Sequence, residues 1–310
     1  MSSRRPGTWR IGRVVGVDVL IKPSLLVMGV ALVVLFAPRW EDRGDTSPYL
    51  LAAVFVVALY VSILVHEIAH VIAARGYRMR VDSVTLHLLG GETLIEGDSR
   101  TPVQELVTSI VGPLASLAIA LASFAAADAM GFGTASDVVW SIAFVNLIVA
   151  AFNMLPGLPL DGGRVFKALI WQVTGREETG TRIAAWIGRF TAVAVVVLAL
   201  ITFSDARTTT VNLVIAVLVA WFLWEGAGDA LRHAGRNARI NLLVAREIGF
   251  PGATPPPGAE QLSVDLRGAD LLRAMAARPA EAYALTEPDG AVFGVLTSRA
   301  VDDAYRASRR

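Results

Sequence analysis

Two histidines stand four residues apart inside an apolar run, with a glutamate beside the first: His66-Glu67-Ile68-Ala69-His70. On a helix, such a pair lies about 40° apart in azimuth and about 6 Å apart along the axis. Both imidazoles can then reach one tetrahedral zinc ion. Glu67, one step round the helix, stands where it could take a proton from metal-held water. In a soluble helix the same letters would often be ordinary polar residues. Here the neighbours are almost all apolar, and ionisable groups in such a segment are costly and as a rule functional.

A catalytic zinc usually has three protein ligands and an open position. The chain has no cysteine, which excludes thiolate ligands, disulfides and a Cys nucleophile, and it has only four histidines. His233 lies beside Arg232 near the end of an apolar segment and reads as a helix-terminal residue. His87 lies shortly before Gly90-Gly91, where a packed or surface histidine is the plainer reading. The stronger candidate is Asp161 in NMLPGLPLDGGR, residues 153–164. The Pro- and Gly-rich break there leaves irregular backbone, which a membrane tolerates where it lines a polar cavity. Asp161 also precedes a helical pattern at 165–173, so it could equally be that helix's N-cap.

These residues need elements to hold them. Of 310 residues 54% are hydrophobic and only 18% charged, against about 25% charged in a typical soluble domain. The apolar residues fall in six runs, roughly 24–38, 49–75, 103–130, 138–155, 183–203 and 210–231. A span needs about 20 apolar residues, so the first and fourth are short and the others long enough. Arginine and lysine gather in alternate connections. One set is Arg4, Arg5, Arg10, Arg13 and Lys22, and a second is Arg75, Arg78, Arg80 and Arg100. The others are Arg164, Lys167, Arg176 and Arg182, then Arg232, Arg236, Arg239 and Arg246. The intervening connections hold little beyond Arg39, Arg43 and Arg207. That asymmetry predicts six spans with both termini in the cytoplasm. The N-terminus lacks a directly following apolar core and reads as an uncleaved anchor rather than a signal peptide.

Residues 81–96, VDSVTLHLLGGETLIE, read as a β-hairpin at the cytoplasmic side, covered by protein at membrane depth. The expected organisation is a membrane domain over 1–240, a Pro-rich linker over 241–258 and a small cytoplasmic α/β tail over 259–310. The expected fold class is thus an α-helical polytopic membrane protein of about six transmembrane helices, with a small membrane-associated β-hairpin or sheet and that tail. The formal net charge of +1 gives no basic excess to suggest nucleic acid as a partner. The heavy use of Arg and Ala over Lys points to a GC-rich bacterium, and so to a bacterial plasma membrane.

HEIAH in a span, followed much later by NMLPGLPLDGGR, resembles the site-2 protease family of intramembrane zinc metalloproteases. Gly90-Gly91 resembles the glycines of that family's hairpin, and Gly112-Pro113 the Gly-Pro of its next core span. The resemblance runs from about residue 11 to residue 231. It implies one zinc held by His66, His70 and Asp161, with Glu67 as catalytic base. It also implies that Asn153 contacts the substrate strand or the developing oxyanion, whereas an interhelical hydrogen bond is the plainer role for that residue. Many members carry Asn where this chain has Ser116, which leaves the role of that position open. The implied activity is hydrolysis of peptide bonds in or near the transmembrane segments of membrane-anchored regulatory proteins. Gly90, Gly91 and the hairpin edge would receive the extended substrate. The tail is similar to half of a CBS domain, a module associated with adenine nucleotides, although packing would serve such a half-unit equally. Two other classes meet the same residues. A zinc or cation transporter would need polar groups along a through-path on several spans, and a catalytically silent scaffold would have no use for Glu67.

Overall fold

The computed structural model describes residues 7–41, 46–87, 90–96, 99–202 and 206–308. Arg4 and Arg5 of the basic sets and Arg43 of an intervening connection lie outside them, and so does the side chain of Arg207. Among the described residues, six helical segments are long and apolar enough to cross a membrane. The first is α1 (Pro23–Phe36), continued by a 3-10 turn over Ala37–Trp40. The others are α2 (Pro48–Gly76), α3 (Pro102–Met130) and α4 (Thr134–Asn153), then α6 (Glu177–Thr202) and the 213–241 part of α7 (Ala206–Asn241). A shorter amphipathic helix, α5 (Asp161–Thr174), lies between α4 and α6.

The helix ends follow from local sequence. Proline opens α1, α2 and α3, where the missing N–H has no intrahelical partner to lose. Thr101 caps α3 by accepting from Gln104 N at 3.2 Å. Gln104 answers through Oε1, which accepts from Arg100 N at 2.9 Å, a variant of the capping box. Gly175 closes α5 in the left-handed region, its N–H bonded to Trp171 O. Long apolar side chains such as Val57, Leu121, Val193 and Leu218 remain outward-facing, as lipid contact requires.

The hairpin of 81–96 is part of a larger sheet. Strands β1 (Trp9–Val14), β2 (Val17–Ile21), β3 (Arg80–His87) and β4 (Gly90–Glu96) align in the order β1-β2-β3-β4. The β2–β3 pair is parallel and the other two are antiparallel. Val17 and Val84 bury against Val71 of α2, which seats the sheet on the helix that carries the motif. The Arg75 guanidinium donates to the carbonyls of Val15 and Gly16 at the β1–β2 turn.

By internal contacts the chain divides into two compact units, Met1–Gly228 and Asp229–Arg310. The second unit contains α8 (Ala245–Ile248), β5 (Phe250–Pro251), β6 (Glu260–Ser263) and α9 (Gly268–Ala277), followed by β7 (Ala282–Thr286), β8 (Val292–Thr297) and α10 (Ser298–Ala307). Its sheet order is β5-β8-β7-β6. Leu271, Tyr283, Leu285, Leu296 and Val301 form the core. Within 241–258, Leu243 and Ala245 join that core and β5 pairs with β8.

Candidate active site

Helix α2 presents His66, Glu67 and His70 toward the protein interior, all three buried. His66 lies ten residues and His70 six residues before the end of α2 at Gly76, about 15 Å and 9 Å along the axis. The break after α4 brings the third group to them. Leu158 N bonds to Ala184 O at 3.1 Å and Leu160 N to Gly157 O at 3.0 Å, which fixes the start of α5. Asp161 is the first residue of that helix. The cap position belongs to Leu160, and no side chain caps it. The Asp161 carboxylate points instead to the imidazoles. Its Oδ2 lies 3.1 Å from His66 Nε2 and 3.3 Å from His70 Nε2, and the three ligand atoms lie within 4.8 Å of one another.

The geometry tests whether a metal fits. A tetrahedral ion with bonds of about 2.0–2.2 Å places its ligand atoms about 3.4 Å apart, close to both observed separations. Donor chemistry agrees. His70 Nδ1 is 2.6 Å from Thr108 O, and a carbonyl only accepts. Nδ1 therefore carries the proton, and in the neutral ring Nε2 presents a lone pair. That lone pair faces a carboxylate oxygen, and a cation between them removes the repulsion. Burial alone would raise the Asp161 pKa. The neighbouring imidazoles outweigh it and hold the carboxyl well below the usual carboxylate range, so it is ionised and available as a ligand.

Helix α3 supports both rings. His66 Nδ1 lies 2.9 Å from Ser116 Oγ, which gives Ser116 a role as partner of the first histidine. Gly112 packs between the two rings. A Cβ there would fall 2.6 Å from His66 Nε2 and 2.6 Å from His70 Cε1. On the other side, β4 lies over Glu67. Thr93 Oγ1 donates to Glu67 Oε2 at 2.5 Å, and a Cβ on Gly91 would fall 2.7 Å from Glu67 Oε1. His66, Glu67, His70, Thr93 and Asp161 border one cavity of about 430 Å³. Its lining includes Gly90, Gly91, Asn153 and Arg164, with Ile63, Phe152, Leu160 and Phe222 among its apolar walls.

Asn153 lines the cavity and donates to Val149 O of its own helix at 3.1 Å, so that bond is not interhelical. The interhelical amide is Asn146, which donates to Ser62 Oγ at 3.2 Å. His87 is half-buried in β3. Burial, with Lys22 adding, holds its pKa below the ordinary imidazole value against the opposing pull of Glu92 and Glu67. His233 is exposed in the second unit, with its Nδ1 3.0 Å from Arg236 Nη2. Neither joins the cluster of His66, His70 and Asp161. Sequence reasoning did not single out Thr93, Thr108 or Glu105. Thr108 acts through its main chain, which has no sequence signature. Glu105 could have been found as a carboxylate just inside the third apolar run.

A family model described as Peptidase family M50 matches residues 54–133 and 127–197. A Mycobacterium tuberculosis protein provisionally named as a zinc metalloprotease, Rip3, is 32% identical over 309 residues, covering 96% of this chain and 76% of its own length. This chain belongs to peptidase family M50. A Synechocystis member, also provisionally named a zinc metalloprotease, is 28% identical over 251 residues, or 79% of this chain; the match spans 65% of that relative's length. The solved site-2 protease from Methanocaldococcus jannaschii is similar at TM-score 0.52 and 23% identity, covering 73% of this chain and 95% of that one. Its likeness supports the multi-helix membrane fold. Membership in M50 makes the chain a membrane zinc metallopeptidase by family, and zinc is the metal that the family's named members imply.

Proposed function

We propose that the chain hydrolyses peptide bonds in or next to the transmembrane segments of membrane-anchored regulatory proteins, with His66, His70 and Asp161 as zinc ligands and Glu67 as general base. The observation that carries this reading is the convergence of the three ligand atoms beside Glu67 in one cavity. Zinc bound there supplies the charge that polarises the scissile carbonyl and lowers the pKa of the attacking water. Glu67 takes the proton from that water and returns it to the leaving amine. Thr93 holds the carboxylate in place until then. The amides of a substrate helix are paired internally, so the helix must unwind before attack. Strand β4 ends the sheet order, and its outer edge offers main-chain partners to the unwound segment. Gly90 and Gly91 keep that edge close to the base, and Asn153 faces the same space.

The alternation of basic connections supports both termini in the cytoplasm of a bacterial plasma membrane. The tail's β6-α9-β7-β8-α10 order is what favours the half-CBS reading, and nucleotide binding would follow from it. The deciding experiment reconstitutes purified protein with a single-span substrate. Glu67→Gln should keep zinc and lose cleavage by about 10²–10⁴-fold. Undiminished proteolysis by that variant rejects the mechanism.

A further inference from the structure

Helix α3 carries more than the two histidine supports. Glu105, Thr108, Gly112 and Ser116 follow at spacings of three, four and four, so they share one face. Glu105 is only 3% exposed. Its Oε1 accepts from Arg164 Nε at 3.1 Å and lies 3.5 Å from Lys167 Nζ, while Oε2 accepts from Ser99 Oγ at 2.5 Å. Both cations belong to α5, the helix that begins with Asp161. Lys167 also reaches Glu177 at the start of α6, at 2.8 Å. Burial alone would lower the Arg164 pKa. The Glu105 charge and hydrogen bond overturn that and raise it, with Asp161 and Glu67 adding.

A buried ion pair of this kind often adds little stability over apolar packing, and its best-attested use is to fix register. Register matters here. A slip of α5 by one residue would move Asp161 about 1.5 Å along its axis, against a metal-site tolerance of about 0.2 Å. We propose that Glu105 is a positioning residue for the metal centre: through Arg164 it sets where the Asp161 carboxylate stands relative to the two imidazoles. One helix face then holds all three ligands, two through their rings and one through a neighbouring arginine. The proposal rests on the assignment of His66, His70 and Asp161 as ligands.

The test uses the full chain in detergent, loaded with Co²⁺ and titrated with a chelator, and reads metal retention and the visible cobalt bands. Asp161→Ala checks the ligand assignment and should lose the metal. Glu105→Gln should release cobalt about 10- to 100-fold more readily, the usual effect of removing a partner that orients a ligand, and should shift the bands. Glu177→Gln loosens Lys167 without touching Arg164, and should keep wild-type retention and bands. Wild-type behaviour of Glu105→Gln beside metal loss in Asp161→Ala overturns the proposal and leaves the ligand assignment standing. Equal shifts in Glu105→Gln and Glu177→Gln also overturn it, because they would mark general loosening. Metal retention by Asp161→Ala removes the assignment and the proposal together. If Glu105→Gln is not recovered folded, Glu105→Asp keeps the charge with a shorter reach. It should shift the bands, and unshifted bands would count against the proposal.

Discussion

Gly112→Ala is the sharpest perturbation that the site allows. The added methyl would lie 2.6 Å from His66 Nε2 and 2.6 Å from His70 Cε1. His70 Nε2 would be closer still, and an ordinary contact is about 3.5 Å, so the rings or α3 must retreat by at least about 0.9 Å. Neither ring can simply turn aside, because Nδ1 of each is bonded to α3 itself, at Ser116 Oγ and Thr108 O. A metal site tolerates errors of only about 0.2 Å, and a misplacement of about 1 Å costs on the order of 10²-fold in rate. Purified Gly112→Ala should therefore carry little zinc by atomic emission and cleave at least about 100-fold more slowly than wild type. Gly91→Ala is the matched contrast. Its methyl would meet Glu67 at 2.7 Å from Oε1 and leave the imidazoles alone, so zinc should be retained while cleavage falls. Stoichiometric zinc and full cleavage in Gly112→Ala would refute the packing argument. Loss of zinc from Gly91→Ala would refute the separation of base from metal.

Acidification should release the metal, because protons compete with it for the ligand lone pairs. Asp161, held below the usual carboxylate range, should not set the midpoint, and metal content measured from pH 8 to 5 checks this. Asn153→Ala removes a bond to its own helix, which should cost about 1 kcal/mol or less. If the residue meets the substrate, cleavage should fall with zinc content unchanged, and unchanged cleavage would return it to a packing role. Leu285→Ala empties a fully buried position in the second unit, which should destabilise that unit by about 2–5 kcal/mol. Chemical denaturation of the variant checks that cost, and zinc analysis of the folded variant should find the metal unaffected.

The histidine pair was legible because a spacing of four on a helix fixes its own geometry. Asp161 was not settled by spacing, since a residue opening a helix reads as cap or ligand alike. The structure places Leu160 at the cap and aims Asp161 inward. The hairpin of 81–96 was visible as two β-rich runs around two glycines. Its parallel pairing with β2 was not, because that ladder joins residues about 65 apart and leaves no local trace. The fourth span was read at 138–155, but α4 starts at Thr134, since its first turn is polar and hydropathy does not count it. The sixth was read to 231 while α7 continues to Asn241. Arg and Ala favour helix whether or not they favour lipid. In the tail, β5 is two residues long and has no periodicity to read.

The supports of the two imidazoles differ in how they could drift over generations. His70 is oriented by the main-chain oxygen of residue 108, and every amino acid supplies that oxygen. Exchange of the threonine there would leave this bond in place. His66 depends on a hydroxyl at 116, which few side chains can replace. Position 112 has no substitute at all, because hydrogen is the only group that fits between the rings. One helical face thus joins a position that acts through its main chain, one that acts through a hydroxyl and one that acts by having no side chain, all set against the same two rings.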